Sequence, residues 1–301
     1  MNQFISNTIT FLTLLFYLYY MIHSHYESIL QGNKKPKFKY VDLDKKISEV
    51  KEIMKDCKIC PRKCSVNRIK GEKGFCKVLT EPKIFGIHAH YGEEQELVPS
   101  GTIFFSGCTM KCVYCQNAPA SINPELGEYY DEKTVAEKID RFYSGNVENV
   151  NFVNPECFLL NILKILKNLN SDIPVIWNSS SYYSKTTAEL IKDIVDLYLL
   201  DFRYFDDECA IRLSSSPHYL KNAKQNNLIA KRNADLLVRV LVMPGHFECC
   251  TKPIMKWIKE NLGENTRVNI MDQYRPCFKA QKFPEISRSL SVKEFNDVLN
   301  L

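Results

Sequence analysis

From Thr102 onward, short apolar runs of strand length alternate with amphipathic stretches of helical length. The runs TIFFS, VENVNFV, PVIWN, DLYLLDF, LLVRVLV and TRVNIMD are almost continuous in apolar residues, as strands covered on both faces are. Between and after them, helical spacing is expected near 132–143, 156–168, 185–194, 217–230 and 252–261. Repeated strand and crossover-helix units define an α/β fold, a partial (β/α)6 TIM-type barrel. Reacting groups in such barrels come from the C-terminal ends of the strands, so those ends are where chemistry is sought.

Upstream of Thr102 the pattern changes twice. Residues 9–22 (ITFLTLLFYLYYMI) are almost wholly apolar, and with 4–8 they approach the roughly 20 residues that span a bilayer. No Lys or Arg precedes this run, whereas Lys34, Lys35, Lys37 and Lys39 follow it, which would place the rest of the chain in the cytoplasm, membrane-anchored through residues 4–22. A core-docked or amphipathic helix, or a start at Met21, is the alternative. Residues 31–95 are rich in Lys and Cys, with an amphipathic helix expected from Leu43 through Ile47, Val50, Ile53 and Met54. The expected organisation is therefore a hydrophobic segment at 1–30, a Cys-rich metal-binding extension at 31–95 and the barrel at 96–301.

Composition adds little until the cysteines. In 301 residues, 45% hydrophobic and 25% charged are ordinary fractions for a globular enzyme-sized protein. The net charge of +5 is local: residues 34–83 hold 16 Lys and Arg against 7 Asp and Glu. A basic surface of that size is commonly plain solvation, and no nucleic-acid partner is expected. Twelve cysteines are many. With no secretory signal recognised ahead of them, disulfides are not expected; seven of the twelve fall between residues 57 and 115, and such clusters in a reducing compartment bind metal.

Cys108, Cys112 and Cys115 follow the first apolar run at CxxxCxxC spacing within SGCTMKCVYCQN. Three thiolates from one loop hold three irons of a [4Fe-4S] cubane and leave the fourth iron open to an exogenous ligand. The loop, with Tyr114 before its last cysteine, resembles that of the radical S-adenosylmethionine superfamily. The phrases CKICPRKCSVNR, GEKGFC, HYGEE, SGTIFFSGC, CVYCQN, VDLYLLDFRY, LVRVLVMPG and NIMDQYRP resemble its pyruvate formate-lyase-activating-enzyme-like branch. The resemblance implies a radical enzyme in which the open iron chelates S-adenosylmethionine and a reduced cluster cleaves it to a 5′-deoxyadenosyl radical. It further implies an oxidoreductase that takes electrons from a flavodoxin or ferredoxin and abstracts hydrogen, in this branch from a glycine of a partner glycyl radical enzyme. The competing class is a non-catalytic iron-sulfur protein for electron transfer or redox sensing.

Other strand ends supply candidates for cofactor contacts: Asn154, Asn178, Asp201, Arg203, Arg239 and His246, together with Tyr114. Many family members carry Gly-Gly-Glu after the second strand; here the stretch reads FVNPE, so Asn154 or Glu156 is expected to hold the methionyl amine. Asp201 and Arg203 resemble the family's Asp-x-Lys pair, with a guanidinium fork in place of an ammonium. A second group, Cys57, Cys60, Cys64 and Cys76, offers four thiolates that close a site for zinc or an auxiliary [4Fe-4S] cluster. Cys157, Cys209, Cys249, Cys250 and Cys277 lack paired spacing, apart from the adjacent Cys249 and Cys250, and are read as buried or free thiols; His88 and His90 are read as loop residues, with ligation of the second site as the alternative.

Overall fold

The computed structural model of the protein describes residues 24–301; the expected apolar span at 4–22 lies outside them. Among the described residues no helix is long and apolar enough to cross a membrane.

One eight-stranded sheet organises the chain. In chain order its strands are β1 (Lys83–His90), β2 (Ser100–Phe105), β3 (Glu128–Tyr129), β4 (Asn149–Val153), β5 (Val175–Ser179), β6 (Leu197–Asp201), β7 (Asp235–Leu241) and β8 (Arg267–Met271). Strands β2, β4, β5, β6, β7 and β8 pair in parallel in that order, and each coincides with one of the six apolar runs. The runs are apolar throughout because the helices cover one face while the other turns into the barrel. Strands β1 and β3, absent from the periodicity reading, pair antiparallel at the β2 edge. The boundary expected at 95–96 falls in the β1–β2 connection, so extension and barrel share one sheet.

The helices are α1 (His25–Leu30), α2 (Leu43–Lys55), α3 (Glu132–Ser144), α4 (Leu159–Asn168), α5 (Lys185–Ile191), α6 (Asp207–Ser214), α7 (Tyr219–Asn233), α8 (Lys252–Leu262) and α9 (Val292–Leu299). Side-chain caps start several of them: Asp42 accepts from Lys45 N, Asp131 from Thr134 N and Ser184 from Thr187 N. The expected stretch at 217–230 is α7, and α6 is an additional short helix ahead of it.

The apolar face of α2, with Ile47, Val50 and Met54, enters the same core as Ile103, Phe152 and Leu163. Each fully buried aliphatic or aromatic side chain there contributes about 1.5–3 kcal/mol of transfer energy. At the opposite end of the barrel from the strand C-termini, Tyr26 of α1 packs with Leu97, Ile176, Leu197, Leu199 and Leu237. Fully buried Asp196 fixes that plug, accepting from His25 Nε2 (2.9 Å), Lys37 N (3.0 Å) and Val175 N (2.8 Å). With one end filled, the cavity lies at the other.

Candidate active site

Period-two alternation decides which residues face the barrel interior. Asn151 and Val153 of β4, Asn178 of β5, Asp201 of β6, and Arg239 and Leu241 of β7 lie in one phase, while Val150, Phe152, Trp177, Leu200 and Val238 pack outward. A cavity of about 340 Å³ at the strand C-termini is lined by Cys108, Cys112, Cys115, Tyr114, Asn154, Asn178, Asp201, Arg203 and Arg239. It is also lined by Glu93, Ser179, Ser180 and Tyr274, and its rim carries exposed Gln116, Asn117, Gln273 and Arg275.

The cysteine loop is held on every side. Gly107 adopts φ +113°, and a Cβ there would lie 2.5 Å from Val78 Cγ2, so only glycine turns the chain from β2 into the loop. Lys111 N donates to Ser214 O (3.0 Å) and Val113 N to Leu213 O (2.8 Å), seating the loop on the C-terminal end of α6. Tyr114 OH meets Tyr204 OH at 2.5 Å, Tyr204 OH meets Ser214 Oγ at 2.6 Å, and Ser214 Oγ donates to Cys112 Sγ at 3.0 Å.

Further donors converge on the sulfurs. Met110 N donates to Cys108 Sγ (3.4 Å), Arg203 Nη1 to Cys112 Sγ (3.2 Å), and Ser121 Oγ contacts Cys115 Sγ (3.0 Å). Burial pushes the Cys108 and Cys112 thiols up from their ordinary range, and metal ligation removes those protons. Donors aimed at sulfur and buried thiols on a single wall of a cavity fit an iron-sulfur cluster with an open side.

The charged groups form one chain. Arg203 Nη2 donates to Asp201 Oδ2 (2.6 Å) and Arg239 Nε to Asp201 Oδ1 (2.7 Å). Arg239 continues to Glu93 Oε2 (3.0 Å) and Asn178 Oδ1 (2.6 Å). Burial would raise the Asp201 carboxyl, but Arg239 and Arg203 hold it below its ordinary value. Burial raises Glu93 despite Arg239.

Several sequence expectations change here. His246 does not line the cavity: it is buried at the start of the turn after β7, with Nδ1 2.8 Å from Pro244 O. Asn154 lines the cavity from a left-handed conformation, φ 51°, whereas Glu156 is wholly buried and accepts from Ser179 Oγ. Burial lifts the Glu156 carboxyl to about 7. His88 and His90 belong to strand β1, and His90 lines the main cavity. Glu93 and Ser214 were missed; Glu93 sits in the irregular HYGEE phrase, and Ser214 reaches Cys112 through the fold alone.

A second cavity, of about 20 Å³, is lined by Cys57, Cys60, Cys64, Cys76 and also Cys157, so Cys157 is not an isolated thiol. Thr109 of the first loop forms part of its wall, and Arg62 Nε donates to Thr109 O at 2.9 Å. Burial pushes the Cys60 thiol up to about 12. A hydrogen bond from Cys157, helped by Arg68, brings Cys76 down to about 6 against the opposing effect of burial.

A parallel β/α partial barrel with three cysteines in the loop after its first parallel strand defines a class of cluster-dependent enzymes. The chain belongs to that class, the Radical SAM superfamily, whose signature matches residues 102–258. The domain implies a [4Fe-4S] cluster and S-adenosylmethionine. An uncharacterized protein of Methanocaldococcus jannaschii is 40% identical over 272 residues, covering 86% of this chain and 78% of that protein. The pyruvate formate-lyase-activating enzyme of Clostridium pasteurianum is 30% identical over 115 residues, 35% of this chain and 46% of that enzyme. Among solved structures, Streptococcus suis SuiB bound to precursor peptide SuiA matches at TM-score 0.43 and 15% identity, covering 64% of this chain and 43% of SuiB. A structure of TYW1 with a lysine-pyruvate adduct matches at TM-score 0.39 and 15% identity, covering 70% of this chain and 74% of that one.

Proposed function

We propose that Cys108, Cys112 and Cys115 hold the catalytic cluster and that the enzyme abstracts hydrogen from an unactivated C–H bond, in the finer reading from a glycine of a partner enzyme. The observation that carries the proposal is the common cavity of the buried Cys108 and Cys112 thiols, the half-buried Cys115 thiol and a polar wall containing Asn154, Asp201 and Arg203. Cys108, Cys112 and Cys115 would hold the cluster, which when reduced would supply the electron for reductive cleavage of the sulfonium C–S bond of S-adenosylmethionine.

The protein's own residues bind and orient. Arg203 directs its fork at Asp201 and its remaining nitrogen at Cys112 Sγ, which fixes a positive charge beside the cysteine loop that would attract a methionyl carboxylate. Asn154 offers a side-chain oxygen to the amine. Asn178 and Glu93 supply hydrogen-bonding groups for ribose hydroxyls, and Arg239 fixes both of them. The glycine reading is supported by the partial likeness to the activating enzyme; flavodoxin or ferredoxin is the proposed electron donor.

Cys57, Cys60, Cys64 and Cys76 are proposed to hold a second centre. Four thiolates would close a site for either tetrahedral zinc or an auxiliary [4Fe-4S] cluster, and counting iron and zinc in a variant lacking Cys108, Cys112 and Cys115 tells the two apart.

The test is anaerobic reconstitution, reduction with dithionite and measurement of 5′-deoxyadenosine from S-adenosylmethionine. Product from the wild type and only background from Cys112→Ala is expected. Equal product from both would overturn the assignment.

A further inference from the structure

Outside both cavities, Cys209, Cys249 and Cys250 place their three sulfur atoms within 4.8 Å of one another. Sequence spacing gives no hint of this, since Cys209 is 40 residues from its partners; α6 after β6 and the turn after β7 bring them together. The Cys249 and Cys250 sulfurs are 3.6 Å apart, far beyond the roughly 2.05 Å of a disulfide. Cys250 is buried and Cys249 exposed, so the trio has one face in protein and one toward solvent. No fourth Cys, His, Asp or Glu joins the group among the described residues.

We propose that this trio is a mononuclear site for a thiophilic divalent ion of zinc type, with three thiolates and water as the fourth ligand. The proposal stands independently of the function assigned to the barrel cavity. Its basis is spacing: three sulfurs on one ion at about 2.3 Å lie about 3.8 Å apart, and this trio approaches that distance, whereas the other two cysteine groups do not. Thiolate donors select zinc-type ions over hard cations. Binding displaces the thiol protons to solvent and involves no electron transfer. The ion would pin the start of α6 to the turn after β7. The other end of α6 carries Ser214, the donor to Cys112 Sγ, so the site would buttress the wall on which the first cysteine loop is seated.

The test compares anaerobically purified, cluster-loaded wild type with Cys209→Ser/Cys249→Ser after dialysis against limiting Zn²⁺, with zinc and iron counted per chain. The wild type is expected to hold one zinc more than the variant at equal iron, and zinc is expected to protect Cys249 from alkylation. Should the double variant fold poorly, Cys249→Ser alone serves, since that side chain is exposed; its zinc occupancy is expected to fall from one to near zero. Equal zinc in wild type and variant, or a disulfide within the trio of the anaerobic wild type, would overturn the proposal.

Discussion

The two cysteine loops that meet at Thr109 share a donor atom type but differ in surroundings. Around Cys108, Cys112 and Cys115 the wall opposite the sulfurs is a polar cavity of about 340 Å³ with an exposed rim. Around Cys57, Cys60, Cys64 and Cys76 the space is about 20 Å³, closed by Cys157, Arg68 and Ile59. Three thiols facing a large polar cavity leave a coordination position for an outside molecule; four or five thiols in a closed pocket leave none. The loop beside substrate space is thereby suited to catalysis, and the enclosed loop to structure or electron supply.

The comparison breaks most visibly at Cys112. Cys112→Ala is expected to lose 5′-deoxyadenosine formation to background while metal in the closed loop remains, as counted by iron and zinc analysis of the purified variant. Cys60→Ala should act in the opposite sense, on folding: loss of an enclosed metal centre is expected to cost about 4–5 kcal/mol or more in denaturant unfolding.

Asp201→Asn is expected to cost about 3–5 kcal/mol, because Arg203 and Arg239 lose the charge that compensates them in a buried setting. The same carboxyl sets a pH dependence. Its folded pKa is depressed, so its stabilisation is present above the unfolded value near about 4 and is lost as pH falls through the lower folded value. Asp201→Asn should flatten the acid limb of stability against pH. The smallest effect is expected at Asn154→Ala: roughly a tenfold rise in KM for S-adenosylmethionine, or about 1.4 kcal/mol, with the iron content of the wild type.

The six parallel strands were legible because each is a nearly unbroken apolar run, and the three-cysteine loop because its ligands are adjacent in sequence. Period-two alternation then put Asn178, Asp201 and Arg239 on the interior phase. What sequence hid was long-range. Strand β1 has a mixed burial pattern, with Phe85 exposed beside buried Ile84, and shows no clean alternation. Cys157 and Cys209 join other thiols only through the packing of segments distant in sequence. His246 looked functional by position, yet the turn after β7 folds its ring back onto Pro244.

The open coordination position is the central claim, and electron paramagnetic resonance of the reduced protein addresses it directly, with the spectrum of Cys112→Ala subtracted to isolate the signal of the 108–115 loop. Addition of S-adenosylmethionine is predicted to shift that signal, because the molecule enters the coordination sphere of the iron that lacks a cysteine. An iron-sulfur signal that is identical with and without S-adenosylmethionine would contradict the account.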